Sequence, residues 1–219
     1  MKRLTLLTLA LIVAIIANGQ EPVKVACVGN SITYGHGIKN REHDGYPAVL
    51  GRLLGPGYDV RNFGISARTL LNKGDRPYMK EQIYKDALAF NPDIVTIKLG
   101  TNDSKPYNWK YNAEFMDDLM QLVKSFQQLE SHPKIYLCYP IPPSTARWEI
   151  SDSVIVHGVI PYIKKVAKKM HLEVIDLYKA FEPYKNLLPD GIHPNEDGAA
   201  VIAHELSKVI INRKKEEDL

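Results

Sequence analysis

Ser31, Asn102, Asp190 and His193 are the residues of this sequence best suited to act together in a reaction. They belong to four short segments in chain order: Gly29-Asn30-Ser31-Ile32-Thr33, Asn62-Phe63-Gly64, Gly100-Thr101-Asn102-Asp103 and Asp190-Gly191-Ile192-His193-Pro194. An alcohol is a poor nucleophile at neutral pH until a neighbouring base takes its proton. Histidine titrates close enough to neutrality to be that base. Asp190 comes from the same segment as His193, so one loop can hold the imidazole in one tautomer and stabilise the imidazolium that forms. Attack on an ester carbonyl then puts negative charge on its oxygen. The backbone N–H groups of Ser31 and Gly64 and the amide of Asn102 are the candidate donors for it, each worth about 2.7–4 kcal/mol in such sites. At Gly64 the missing side chain would let the backbone approach a substrate closely. Each segment alone has an ordinary explanation as a turn, strand end or helix cap. The four in this order form an inventory for ester hydrolysis through an acyl-enzyme.

The elements that must position these groups follow from periodicity. Strand-like apolar runs occur at 23–28, 58–63, 94–99, 135–139 and 172–176. The first, third and fourth are nearly continuous, as strands buried on both faces require. Between them lie helical patterns: Tyr46, Val49, Leu50 and Leu53; Phe115, Leu119, Leu122, Val123 and Phe126; and Ile202, Leu206, Val209 and Ile210. Each repeats at i, i+3, i+4 and i+7 spacing. A further helix is expected over 76–90, ended by Asn91-Pro92. Strands alternating with helices indicate a parallel sheet with right-handed crossovers. Ligands of such sheets bind beyond the carboxyl ends of the strands, and three of the four segments begin where a strand ends. Pro194 suits the first turn of the C-terminal helix.

The N-terminus reads separately. Lys2 and Arg3 precede an apolar run from Leu4 to Ala17, and small residues follow as far as Gly19. This is the layout of a secretory leader, with cleavage expected after Gly19, and it is shorter than the roughly 18 residues a membrane span needs. The expectation is a leader at 1–19 and a single domain at 20–219, exported to the periplasm or secreted, without stable membrane insertion. The whole chain has 28 Lys+Arg against 25 Asp+Glu. Without Lys2 and Arg3 it is close to neutral, which gives no reason to expect nucleic acid or an anionic surface as partner. Cys27 and Cys138 fall in buried strands with a third strand expected between them. Two strand spacings come to roughly 9.5 Å, beyond the ~7 Å reach of a disulfide, so both read as free buried thiols.

These residues resemble the SGNH (GDSL-type) hydrolase family. Ser31, Gly64, Asn102 and His193 match the four residues of its name, and Asp190 matches its Asp-x-x-His. Asn30 and Ile32 replace the Asp and Leu of Gly-Asp-Ser-Leu, and Ala67 stands where a glycine is frequent in relatives. The resemblance implies a three-layer α/β/α sandwich, flavodoxin-like, with a five-stranded parallel sheet of order 2-1-3-4-5. It implies a serine carboxylic ester hydrolase with no cofactor or metal, acting on a small-molecule or glycan ester. Removal of O-acetyl groups from carbohydrates is the leading expectation. A lysophospholipase, thioesterase or arylesterase of the same mechanism, an acetyltransferase using the same triad, and a non-catalytic carbohydrate-binding protein are the alternatives. The nucleophile elbow of the α/β-hydrolases is a poorer match, because Thr33 occupies the place of its second glycine.

Several residues have less defined expectations. Trp109, Tyr107 and Arg68 are candidate substrate contacts, although Trp109 could equally pack under a helix. His36 and Arg68 lie close in sequence to Ser31 and Gly64, so either could touch substrate, with surface loop residue as the leading reading of both. Trp148 is expected in a loop bordering the pocket, and Lys98 is anomalous in an apolar strand. The remaining histidines show no metal-ligand spacing, and neither a phosphate loop nor a dinucleotide fingerprint occurs.

Overall fold

A computed structural model describes residues 21–217, so the leader expected at 1–19 lies outside the described residues. The five expected strands form as β1 Val23–Gly29, β2 Tyr58–Gly64, β3 Ile94–Lys98, β4 Lys134–Cys138 and β5 Glu173–Ile175. They make one sheet of order β2-β1-β3-β4-β5, with every pairing parallel.

Alternation along the strands divides the core into two layers. Ala26, Val28, Val95, Ile97, Ile135 and Leu137 face helices Phe115–Gln127 and Ile160–Met170. Val25, Cys27, Ile94, Tyr136, Cys138 and Ile175 face helices Tyr46–Leu54 and Glu196–Glu217. On helix Phe115–Gln127 the buried stripe is Phe115, Leu119, Leu122, Val123 and Phe126, as its spacing requires. Each such side chain contributes about 1.5–3 kcal/mol by leaving water. The result is the α/β/α sandwich with the expected strand order. Cys27 and Cys138 are free and buried, with β3 between their strands, and burial pushes both thiols up to about 12. Among the described residues no helix is long and apolar enough to cross a membrane.

Two elements differ from expectation. The helix expected over 76–90 starts only at Gln82 and spans Gln82–Ala89. Before it, Tyr78 is fully buried, its hydroxyl donating to the Phe63 carbonyl (2.8 Å) and its N–H to Thr69 O (2.9 Å). Those bonds hold a short 3₁₀ turn, Tyr78–Lys80, against β2 in place of a first helical turn. Helix Ile160–Met170 was not expected, because Gly158 and Pro161 interrupt the pattern of Ile155, Val159, Ile163 and Val166, which are all buried. A π-helical turn, Ile155–Val159, leads into it. Gly158 is required there: a Cβ would overlap the indole of Trp109.

Candidate active site

The end of β1 places Ser31 at the first position of a one-turn helix, Ser31–Tyr34. Asn30 caps that turn, its side chain accepting the N–H of Ile32 at 3.1 Å. Thr33 is pinned below by the hydroxyl of buried Tyr46 at 2.9 Å. First-turn N–H groups have no intrahelical acceptor, so the Ser31 N–H can serve a ligand beside its own Oγ.

The loop before the C-terminal helix supplies the next two groups. Gly191 takes φ +87 and packs against Thr145, where a Cβ would overlap the threonine hydroxyl. This sharp turn folds Asp190 back onto its own segment. Oδ1 accepts the N–H groups of Ile192 (2.9 Å) and His193 (2.8 Å), and Oδ2 meets His193 Nδ1 at 2.8 Å. His193 Nε2 lies 2.8 Å from Ser31 Oγ. A neutral imidazole protonated on Nδ1 satisfies both contacts, donating to Asp190 and accepting from Ser31.

Electrostatics favour that state. Burial lowers the pKa of His193; Asp190 opposes this, while His36 and Lys98 add to the lowering, and the net direction is down. For Asp190 burial acts upward, but the His193 and Ile192 bonds outweigh it and the carboxyl lies below its ordinary value. An unprotonated base beside an ionised carboxylate is what proton removal from Ser31 requires.

Asn102 and Asp103 begin the short turn that follows β3. Asn102 uses one side-chain N–H on the carbonyl of Arg68 (3.1 Å), and its backbone carbonyl accepts from Asn108 (2.9 Å). An amide nitrogen carries two hydrogens, so the second remains available. Asp103 is fully buried and its oxygens accept the N–H groups of Leu70 (3.1 Å) and Leu71 (2.8 Å). Burial raises its carboxyl to about 6, against the lowering effect of those amides. Asp103 thus joins the loop after β3 to the loop after β2.

The loop after β2 calls for a correction. Gly64 does not face the cleft, and its N–H donates to Asn62 Oδ1 at 2.9 Å. A Cβ on Gly64 would overlap the backbone of Thr33 and Tyr34, so glycine is needed for packing against the Ser31 turn. Ser66 and Ala67 line the cleft instead; Ala67 is in the left-handed region at φ +66, and among the described residues its N–H meets no acceptor. The signal for it was the substitution of alanine at a position where glycine is frequent.

The cleft has a volume of about 390 Å³, with Ser31, Asn102 and His193 in its wall. Tyr107 borders it, as expected; Trp109 and Arg68 do not. Trp109 stacks on Tyr162 and meets Phe115 edge-on, both at 5.8 Å between ring centroids. That places its indole in the core layer, against the helix the sequence did not reveal. The Arg68 guanidinium is held by Glu81 (2.9 Å) and the Ser66 carbonyl (2.7 Å), leaving only its backbone to touch the site through Asn102. His36 is exposed, as a surface loop residue should be, and its ring also lies 4.4 Å from that of His193; Trp148 flanks the same imidazole at 5.4 Å. His36, Asp190 and His193 are close enough to share a metal ion. Both nitrogens of His193 are already engaged by Ser31 and Asp190, which makes this a poor ligand set.

An all-parallel α/β/α sheet that presents Ser, His and Asp in one hydrogen-bonded row beyond its strand ends is the architecture of a serine acyl hydrolase. The chain belongs to the GDSL-like Lipase/Acylhydrolase family, whose profile residues 27–201 match. It is 47% identical to an acetylxylan esterase of Xylanibacter ruminicola, over 87% of this chain and 44% of the relative. The chain therefore spans less than half the length of that protein. A GDSL esterase/lipase of Arabidopsis thaliana is 22% identical over 88% of this chain and 80% of its own. Among solved structures, a carbohydrate acetylesterase from Sinorhizobium meliloti superposes with a TM-score of 0.70 at 20% identity, covering 87% of this chain and 99% of that one. A lipase/acylhydrolase from Enterococcus faecalis gives 0.71 at 25% identity, covering 87% and 96%.

Proposed function

We propose that this chain is a serine carboxylic ester hydrolase that removes O-acetyl groups from a carbohydrate through an acyl-enzyme. The observation that carries the mechanism is the unbroken row Ser31 Oγ, His193, Asp190, with both links at 2.8 Å, at the wall of an open cleft. Support for the substrate class comes from the 47% identity to an acetylxylan esterase.

In this reading Ser31 Oγ bonds to the ester carbonyl carbon while its proton passes to His193 Nε2. The former carbonyl oxygen, now negative, is held by the N–H groups of Ser31 and Ala67 and by the free N–H of Asn102. As the tetrahedral adduct collapses, the C–O bond to the sugar breaks and His193 returns its proton to the departing alkoxide. Water, deprotonated by His193, then attacks the acetyl-Ser31 carbonyl; the second adduct collapses by breaking the Ser31 Oγ–carbon bond as His193 returns the proton to Oγ, and acetate leaves. Asp190 stays ionised throughout and stabilises the imidazolium. The leader at 1–19, the single hydrolase domain at 20–219 and export belong to the same proposal, supported by the charged and apolar pattern of the first residues.

The test is hydrolysis of p-nitrophenyl acetate, butyrate and octanoate, and of acetylated xylan, by wild type and Ser31→Ala. Acetate-selective turnover, release of acetate from the polysaccharide and loss of both in Ser31→Ala are expected. Preference for octanoate would move the substrate to a lipid, and equal turnover by Ser31→Ala would refute the mechanism.

A further inference from the structure

The machinery above accounts for Ser31, His193, Asp190, Asn102 and Ala67. It leaves unexplained why two of the three exposed large hydrophobic side chains of the described residues border this one cleft: Trp148 at 45% exposure and Tyr107 at 40%. Trp148 is held there deliberately. Trp148 and the following Glu149 both take left-handed backbone conformations, φ +51 and +60, which non-glycine residues avoid. The Arg147 guanidinium stacks 4.4 Å from the centre of the indole and also donates to the Asp190 carbonyl at 3.3 Å. The indole is thereby tied to the segment that carries His193.

A second and independent feature sits in the same wall. Lys105 is only 8% exposed, yet among the described residues its ammonium has neither a hydrogen-bond nor an ion-pair partner; its nearest interaction is with the Tyr107 ring, 5.9 Å away. Its stem is buried while its ammonium opens on the cleft, and no oxygen acceptor for those N–H groups comes from the described residues. A cleft built for an acyl tail would have no use for it. A pyranose meets both requirements at once, because its C–H face packs on an aromatic ring and its hydroxyl oxygens accept from an ammonium.

We infer that Trp148, Tyr107 and Lys105 form a pyranose-binding subsite beside Ser31, which seats the sugar units of an oligosaccharide chain and presents one ester to the nucleophile. This rests on the deacetylase reading for the identity of the reaction, but the subsite can be probed without turnover.

Two measurements test it. The first compares kcat and KM on acetylated xylotriose and on p-nitrophenyl acetate for wild type, Trp148→Ala, Trp148→Phe and Lys105→Met. The expected result is that kcat/KM of Trp148→Ala falls at least tenfold further on the saccharide than on p-nitrophenyl acetate, mostly through KM. Trp148→Phe should recover most of that difference, and Lys105→Met should lose at least threefold selectively. An equal fall on both substrates would overturn the subsite, leaving Trp148 as a brace for His193. The second titrates unacetylated xylotriose into Ser31→Ala and follows tryptophan emission, with Ser31→Ala/Trp148→Phe as control. Saturable quenching that disappears with Trp148 upholds the subsite, even if wild type should fail to deacetylate xylotriose and the reaction assignment fall. Absence of any binding, together with no substrate-selective loss, would overturn the subsite while leaving the esterase mechanism standing.

Discussion

Lys98 ends β3 with 1% exposure, and its ammonium has no hydrogen-bond partner among the described residues. Burial takes its pKa from 10.5 down to about 7, with Cys138 acting in the opposite direction. A depression of that size corresponds to about 5 kcal/mol of disfavoured charge. The sign follows from linkage: between pH 7 and 10.5 the unfolded chain binds a proton at Lys98 that the folded chain does not, so stability rises with pH across that window. Below pH 7 the full penalty acts; above 10.5 it is gone. Lys98→Met keeps the volume and removes the charge. Urea unfolding of wild type and variant at pH 6.5 and pH 10 would measure the difference. The variant should be the more stable at pH 6.5, by up to about 5 kcal/mol, and the gap should close toward pH 10. Ionisation of Cys27 and Cys138 in the unfolded chain lowers the stability of both proteins at high pH, since burial holds the folded thiols at about 12. Subtracting the variants cancels that common effect. If Lys98→Met were less stable at both pH values, a buried partner must hold the ammonium and the reasoning fails. Because Lys98 also lowers the pKa of His193, the acid limb of kcat/KM should move to higher pH in the variant.

Other expectations concern the proposed reaction. Asn102→Ala should lower kcat by about 100- to 1000-fold with KM little changed, matching loss of one oxyanion donor; steady-state kinetics on p-nitrophenyl acetate would show it, and a KM-only effect would contradict the assignment. Ala67→Gly should retain activity within threefold and relieve the left-handed backbone; a loss of about 100-fold or more in the same assay would contradict the placing of Ala67. Gly64→Ala should instead lower stability by about 1–3 kcal/mol through overpacking against the Ser31 turn; a variant with unchanged Tm and abolished turnover would restore Gly64 to the oxyanion hole. In wild type, kcat/KM should fall on the acid side as His193 gains a proton, with its midpoint below the ordinary 6.5 because burial lowers that pKa. A midpoint above 6.5 in a pH–rate profile would refute this.

The strands were legible because each is a local apolar run ended by turn residues, and strand ends in a parallel sheet share one edge. Ser31, Asn102, Asp190 and His193 were legible for the same reason: each stands in a short segment whose chemistry and position agree. Gly64 was misread because it ends β2 only three residues before Ala67. Only backbone geometry shows that the Gly64 N–H is spent on Asn62 while the Ala67 N–H is not. The Trp109 ambiguity was real, since its partner Tyr162 lies on a helix hidden by Gly158 and Pro161. His36 reached the site through the fold of the Ser31 turn, a contact no sequence period encodes.

The Asp103 carboxylate, by gripping the amides of Leu70 and Leu71, welds two strand-end loops into one body. Trp148 and Glu149 belong to a different segment. That segment is joined to the His193 loop through Arg147 to Asp190 and Ser144 to Gly191, and to the loop after β3 through Ser104 to Ser151. The consequence is for evolvability: exposed Trp148 and Glu149 can change and reshape the cleft wall, whereas Ser144 and Thr145, which meet Gly191, are constrained with the turn that carries His193.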